Sequence, residues 1–375
     1  MLKGVYLTLM VGPTVPTPVP QVVLDALTDV TVTIASGKTS GFQLTFTLSN
    51  RSPLQTIFLL SGGSPIPVLR VILVVTANGT PEVLMDGVVT NHEIKPGKDA
   101  QHSILTITGE DLTRVMDYLN ASGIPYPATP AEGRVALILA KYAVLGIVPQ
   151  IVPSVFLDVP IPSDRIPTHR STDLKYIQYL ANKVGYVFYL IPGPKPGEST
   201  AYWGPEIKVG TPQPALNIDM DIHTNVDSLS FNFDNSKREL PVINILEKTT
   251  KFPISIPVPS ITPLNPPLGL IPPIPKTLKP IRGLAKYSPV QAIAVGLAKA
   301  AQSAEAVSAF GSLDVTRYGQ ILKARQLVGV RGAGLAFDGL YYVKSVTHRI
   351  KRGEYKQDFT LSRNGLVSTL PKIPV

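Results

Sequence analysis

Hydrophobic and polar residues alternate along several stretches near the N-terminal end. Apolar residues occupy every second position of 30–34 and again of 42–48, with Thr and Gln between them. A period of two is typical of strands that bury one face. The glycines of 37–41 predict a turn between these strands, and Asn78-Gly79 after the apolar stretch 68–76 predicts another, because both residues tolerate positive φ. The N-terminal part of the chain is therefore predicted to be antiparallel β-sheet.

Two hairpin-like segments, 86–109 and 338–365, follow the same plan. Each begins with Asp-Gly, continues as a strand, turns after a string of the form H-x-I-K-x-G, and returns as a second alternating strand. The string is HEIKPG in the first segment and HRIKRG in the second. Alternating apolar positions at 216–222 and 229–233 precede the second hairpin. We therefore predict two related antiparallel β domains, one near each end.

The period changes in the middle of the chain. Helical stretches are predicted near 111–120 and 131–148. A third helix is predicted to begin after Thr172, a plausible N-cap, and to end at Gly185, a typical C-cap residue. An aromatic strand follows it directly. This region is predicted to be a compact α/β unit packed against the β domains.

Prolines dominate 251–280, where they are spaced by Ile, Leu and Val. This composition predicts extended or polyproline II chain that lies over a surface or a neighbouring subunit. An Ala-rich helix is predicted from Pro289 to about Phe310, and short strands are predicted within 312–334.

Composition sets limits on the class of protein. The 375 residues allow two to four domains, and 44% hydrophobic with 16% charged residues excludes a disordered chain. The 37 prolines favour strands and turns over long helices, and the absence of Cys excludes disulfides and thiolate metal sites. The apolar stretch 135–148 is shorter than the roughly 20 residues of a membrane span, and we expect no signal peptide. The basic stretch 317–356 is predicted to be a solvated strand face rather than a nucleic-acid site, despite a net charge of +9.

Candidate catalytic residues are few. No catalytic or phosphate-binding motif occurs, and the histidines show no zinc-ligand spacing. The acidic residues of 219–234 could hold a cation or act as paired carboxylates, but solvent-facing Asp on strands is the favoured interpretation. We expect no catalytic, cofactor-binding or metal-binding residue and no cofactor. The residues considered are His92, His102, His169, His223, His348, Asp219, Asp221, Asp227 and Asp234.

Three segments carry a resemblance to a known family. The segment 171–189 is similar to a family helix and strand of the form S-D-L-x-F-L-x-x-L-A-x-x-x-G-Y-x-F. The run GEDL at 109–112 and the hairpin ending FTLSR at 359–363 also match. Over about 20–366, the chain resembles the hub proteins of contractile tails. These include the late control protein D group of bacteriophages and the hub part of valine-glycine repeat spike proteins of type VI and extracellular contractile injection systems.

The resemblance implies an α+β, β-dominated fold with two related antiparallel β-barrel, tube-like domains and an α/β accessory region. The expected division is 1–113 for the first tube-like domain, 114–210 for the accessory domain, 211–250 and 335–375 for the two parts of the second tube-like domain, and 251–334 for an insertion.

The implied function is a structural baseplate hub. A homotrimer with pseudo-six-fold symmetry would join the hexameric inner tube to a separate trimeric spike and contact other baseplate proteins. It would assemble in the bacterial cytoplasm and be a component of a phage-tail-like particle or virion, with no nucleic-acid binding required and no membrane span. The alternatives are a tail-associated cell-wall lytic enzyme and a secreted β-rich binding protein or adhesin.

Overall fold

A computed structural model gives the fold of the chain. It describes the residues 5–37, 39–48, 54, 57–58, 69–97, 103–154, 159–163, 166–234, 239–246, 253–258, 266–274, 277–281, 292–293, 295–297, 300 and 305–369. His102, several of the prolines of 251–280 and most of the predicted Ala-rich helix lie outside these ranges.

The first part of the chain is a β-sheet with one short helix, α1 (Gln21–Ala26). Its strands are β1 (Val5–Gly12), β2 (Thr17–Pro18), β3 (Leu27–Ala35), β4 (Gly41–Leu48), β5 (Arg70–Ala77), β6 (Thr80–Lys95) and β7 (Ser103–Asp111). The predicted β3–β4 and β6–β7 hairpins are confirmed. So is the turn at Asn78 and Gly79, whose φ values are 51° and 80°.

The accessory region contains two α-helices and a three-stranded sheet. The helices are α2 (Ala131–Ala140) and α3 (Asp173–Val184), and the strands are β8 (Ile147–Ile151), β9 (Val187–Pro192) and β10 (Ser199–Gly204). The predicted caps of α3 are confirmed, because the Thr172 hydroxyl accepts a hydrogen bond from the Lys175 amide and Gly185 has a φ of 74°.

Two helix predictions in this region need correction. The stretch predicted near 111–120 is a 3₁₀ helix, Leu112–Asp117. The predicted 131–148 helix ends at Ala140, because Gly146 adopts a φ of 74° and the chain then pairs with β10 as a parallel strand. Backbone pairing thus overrides the apolar helical pattern.

The last part of the chain is again mostly strand, with one short helix, α4 (Val315–Tyr318). Its strands are β11 (Gln213–Asn217), β12 (Ser228–Phe233), β13 (Glu239–Leu246), β14 (Pro253–Pro257), β15 (Gly269–Ile271), β16 (Thr277–Pro280), β17 (Val307–Asp314), β18 (Leu327–Arg331), β19 (Gly339–Lys351), β20 (Glu354–Arg363) and β21 (Leu366–Ser368). The closing hairpin predicted at 338–365 is β19–β20.

Two strand and helix predictions in this part were wrong. The strand expected at 216–222 ends at Asn217, because Asp219 and Asp221 adopt φ values of 50° and 48°, a left-handed conformation that Asp tolerates. The Ala-rich helix does not reach Phe310. Helical residues are described at 292–293, 295–297 and 300, but Ala306 donates to the Arg363 carbonyl and β17 pairs with β20.

The proline-rich region is extended where it is described. There β13 pairs with β14 and β16, and β15 pairs with β21. The predicted extended conformation is confirmed for these residues, although they form small sheets rather than isolated polyproline II chain.

One mainly antiparallel sheet joins the two ends of the chain. The strand order is β12-β17-β20-β19-β3-β4-β7-β6-β5-β1-β2, with β18 paired to β19 and β11 paired to β18. The junction is the pairing of β19 with β3, from Ser345 opposite Ala35 to Lys351 opposite Asp29. The fold is therefore β-dominated, as predicted.

The same strand order occurs twice within this sheet. It is β3-β4-β7-β6-β5-β1 in the first half and β12-β17-β20-β19-β18-β11 in the second. Each half also contains a Phe directly across from a Gly: Phe42 faces Gly109, and Phe359 faces Gly311. In both pairs the Phe ring fills the space that a side chain at the Gly position would need. Ring atoms lie 2.2 and 2.6 Å from an ideal Cβ built on Gly109 and Gly311. The duplicated hairpin is thus one part of a duplicated strand order. The sixth strand differs between the halves, because β1 pairs antiparallel with β5 whereas β11 pairs parallel with β18.

The sheet buries one face in a large apolar core shared by both halves. Phe46, Leu44, Val346 and Tyr355 are among its fully buried side chains. A second core lies within the accessory region and includes Trp203 and Ile177. The division into domains stays a prediction. Strands β17 and β18, which fall within the predicted insertion 251–334, belong to the large sheet.

Candidate functional site: the polar face of the large sheet

The face of the large sheet opposite the core is lined mainly by small polar side chains. Strand alternation places these residues on it, and all are half-buried or exposed. We call this surface the polar sheet face. It includes Ser228, Ser230, Asn232, Ser308, Phe310, Ser312, Asp358, Thr360, Thr347, Arg349, Lys351, Asp29, Thr31, Thr33, Gln43, Thr45, Thr47, Ile104, Thr106 and Thr108.

Hydroxyl contacts cross the strand boundaries of this face. The hydroxyls of Thr33 and Thr347 lie 3.1 Å apart at the β3–β19 junction. Those of Ser228 and Ser312 lie 2.9 Å apart between β12 and β17. The polar sheet face therefore continues from one half to the other.

The charges on this face are largely paired with one another. Arg349 Nε lies 2.6 Å from Asp358 Oδ2, and Lys351 Nζ lies 3.6 Å from Asp29 Oδ2. Because each of these cations has a nearby carboxylate, the paired residues add little net charge to the face, and salt screens the remaining field beyond a Debye length of about 8 Å. This arrangement offers a neutral hydrophilic surface rather than a binding site for one sign of charge.

Buried ion pairs hold the sheet to the rest of the molecule. Arg70 donates two hydrogen bonds of 2.7 Å to the carboxylate of Asp86. Its guanidinium also donates to the carbonyls of Leu145 and Gly197, at 2.8 and 3.0 Å. The pair therefore fixes the first half of the sheet to the accessory region.

A second cluster connects the accessory region with the second half. Lys208 Nζ lies 2.9 Å from Glu305 Oε1, and Lys344 contacts the other oxygen of the same carboxylate. Burial would raise the pKa of Glu305, but the two lysines outweigh it and hold the pKa below its usual value. For Lys208, burial lowers the pKa, but Glu305 and Glu206 outweigh burial and raise it. The cluster is thus ionised at neutral pH.

Arg325 lies where all three regions meet. Its guanidinium stacks 3.9 Å from the centre of the Tyr189 ring and donates to the carbonyls of Ala35 and Leu190, at 2.8 and 3.3 Å. Two residues of the basic stretch 317–356 are therefore structural: Arg325 and the Glu305-bound Lys344. Sequence pattern did not reveal these partners, because they are distant in the chain.

No protein-family model matches the chain, and no curated protein sequence matches it. Several solved structures are similar to the chain. A tail protein from Neisseria meningitidis MC58 has a TM-score of 0.64 at 13% identity, covering 97% of this chain and 98% of the other. The 43 kDa tail protein of prophage MuSo2 from Shewanella oneidensis has a TM-score of 0.61 at 14% identity, covering 96% and 98%.

The chain has the fold of phage tail proteins. An E. coli component of the type VI secretion system, described as similar to the T4 tail proteins gp27 and gp5, also shares this fold. Its TM-score is 0.55 at 11% identity, and the match covers 93% of this chain and 78% of the other. The expected structural resemblance to contractile-tail hub proteins is confirmed at the level of fold.

Within this tail-protein fold, the described histidines occupy separate environments. His92 and His223 are exposed on the β6–β7 hairpin and in a 3₁₀ turn. His348 is buried, with Nδ1 2.8 Å from the Tyr355 hydroxyl, and burial lowers its pKa to about 3. His169 is buried in the accessory region, with Nε2 2.8 Å from Asp173 Oδ1; burial lowers its pKa, and Asp173 opposes this.

The acidic residues of 219–234 lie in a turn and beside β12. Asp219 and Asp221 lie in a turn rather than on a strand, which corrects the expectation for them, and Asp227 pairs with Arg317 and Lys356. In the described part of the chain, no group of three or more His, Cys, Asp or Glu residues could hold a metal ion. Nor is any helix described there long and apolar enough to cross a membrane.

Two cavities bear on the alternative of a lytic enzyme. The larger, about 340 Å³, lies between α3 and the β3–β4 turn, and Asp111 is the only carboxylate among its described lining residues. This carboxylate accepts hydrogen bonds from the amides of Ser40 and Thr113. The smaller, about 280 Å³, is lined by three carboxylates, of which Asp29 pairs with Lys351. Neither arrangement gives specific support to glycosidase chemistry.

Proposed function

We propose that the protein is the structural baseplate hub of a contractile phage tail or a phage-tail-like injection system. It forms a homotrimer, joins the hexameric inner tube to a separate trimeric spike, and contacts other baseplate proteins. It assembles in the bacterial cytoplasm as a component of the particle. Its role is mechanical rather than catalytic.

The observation that carries this proposal is the duplicated strand order within one continuous sheet. Three copies of a chain with two related halves supply six related surfaces, which match a six-fold tube on one side and a three-fold spike on the other. The tail-protein fold and the likeness to a type VI component support the same role.

Within this hub, the polar sheet face lines the central channel. Its Ser and Thr hydroxyls and paired charges suit a wall along which cargo moves without strong adhesion. Large apolar patches would retain cargo, whereas Phe310 and Ile104 are isolated exposures on this face.

Native mass spectrometry and light scattering test the oligomeric state. We expect trimers at micromolar concentration, and negative-stain images with a three-fold ring around a central opening. Only monomer in solution, together with no trimer in the assembled particle, would contradict the proposal. A peptidoglycan-degradation assay on the same preparation separates a hub from a lytic enzyme.

A further inference from the structure

The string H-x-I-K-x-G occurs in both halves, but its His and Ile are buried in only one. In β19, His348 is 2% exposed and Ile350 is 9% exposed. At the same hairpin positions in β6, His92 is exposed and Ile94 is 41% exposed. Both strings start opposite a buried residue of the returning strand, Ile107 for His92. The same residues in the same local structure thus differ in burial.

The difference arises from the neighbouring strand. On one side of β19 lies its hairpin partner β20, and along 345–351 the other side is covered by β3. The corresponding residues of β6, 91–95, pair with β7 only, and among the described residues no strand covers their other side. An uncovered edge with an exposed Ile is a surface that proteins normally pair or protect.

A matching free edge lies at the far end of the sheet. Among the residues that the structure describes, strand β12 pairs with β17 alone, and its place in the second half is that of β3 in the first. Leu229 of β12 is half-buried, whereas Val32, at the corresponding position of β3, is fully buried. The strand that would cover β6 by analogy is therefore β12, but it is the opposite edge of the same chain.

We infer that β12 of one protomer pairs antiparallel with residues 91–95 of β6 in the next. This inference rests on the proposed trimer and specifies its interface. The occupant is a second copy of this chain, because the contact would repeat the β3–β19 junction already present within each chain. In the proposed trimer, this head-to-tail contact is repeated three times and closes the ring.

The internal junction also sets the register. His348 faces Val32 there, which places His92 opposite Leu229 of the neighbouring chain. Thr347 faces Thr33, with a hydroxyl contact of 3.1 Å, which places Asn91 opposite Ser230 of the neighbouring chain. The interchain strand would then cover His92 and Ile94 as β3 covers their counterparts.

The absence of Cys makes disulfide trapping a direct test. In the full chain carrying Asn91→Cys and Ser230→Cys, the two thiols should lie on directly opposed residues, whose Cα atoms are about 5 Å apart in an antiparallel pair. Both positions are exposed in the monomer, so folding should not depend on them. After oxidation with diamide, a non-reducing gel should show a covalent trimer.

The matched control combines Asn91→Cys with Ser228→Cys, which is on the same strand face but two residues out of register, roughly 7–8 Å away. We expect at least tenfold less cross-linking from this pair, and none beyond dimer from either single variant. Light scattering of the reduced variants is measured first.

Two results separate this inference from the hub proposal. If the reduced protein is trimeric but the 91/230 pair cross-links no better than the 91/228 pair, the strand pairing is wrong while the hub proposal stands. If the wild-type protein and the particle contain no trimer, both are wrong.

Discussion

Burial of His348 gives the protein a specific acid sensitivity. The imidazole is buried against Tyr355 and has a pKa of about 3 in the folded state, against about 6.5 for an unperturbed histidine. Below pH 6.5 the unfolded chain takes up a proton that the folded chain does not, so stability falls as the pH decreases from about 6.5 towards 3. At about 1.4 kcal/mol per pH unit, His348 should cost about 2 kcal/mol at pH 5 relative to pH 8.

The assay is guanidinium unfolding of wild type and His348→Gln at pH 8 and pH 5. The amide oxygen of Gln can accept a hydrogen bond from the Tyr355 hydroxyl, but the amide gains no proton on acidification. The variant should be less stable than wild type at pH 8. Between pH 8 and pH 5 it should lose about 2 kcal/mol less than wild type. His223→Gln, at an exposed position, should behave as wild type. Equal acid losses in wild type and His348→Gln would refute the reasoning.

Two further substitutions test the packing of the first half. Asp86→Asn leaves the Arg70 charge buried without its carboxylate and should lower the free energy of unfolding by about 3–5 kcal/mol. The control Glu93→Gln, in an exposed ion pair, should change the free energy of unfolding by less than about 1 kcal/mol. Similar losses from the two substitutions would contradict the assigned role of the buried pair. Gly109→Ala places a methyl group against the Phe42 ring and the Val88 carbonyl oxygen, which lie 2.2 and 2.4 Å from an ideal Cβ, and should cost about 1–3 kcal/mol in the same denaturation assay. An unchanged midpoint would show that both the ring and this part of the backbone can move aside.

The two similar hairpins were predictable because they depend on the local sequence pattern. Alternation, the Asn78-Gly79 turn and the caps of α3 are short-range signals, and each was confirmed. The duplicated strand order was not predictable in full, because β17 and β18 lie in a stretch with weak alternation and join the sheet through distant partners.

The polar contacts that fix the three regions were also invisible in the sequence. Arg70 falls in the apolar stretch 68–76 and Asp86 begins the first hairpin-like segment, yet the two side chains form a buried ion pair. Lys344 reads as part of a solvated basic stretch, but its partner Glu305 lies in a region whose helix prediction was wrong at that end. Such partners are set by tertiary pairing, which a single sequence does not encode locally.

The β3–β19 junction has a consequence for synthesis of the chain. The hydroxyl pair that crosses it joins residues 314 positions apart. Strand β3 therefore leaves the ribosome long before its partner exists, and its outer edge stays open while the accessory region and the second half are made. Pairings of this range form slowly, and open edges invite association with the wrong strand. Nascent chains on one polysome each expose the same edge, so premature contacts between copies are the characteristic risk during production of this protein.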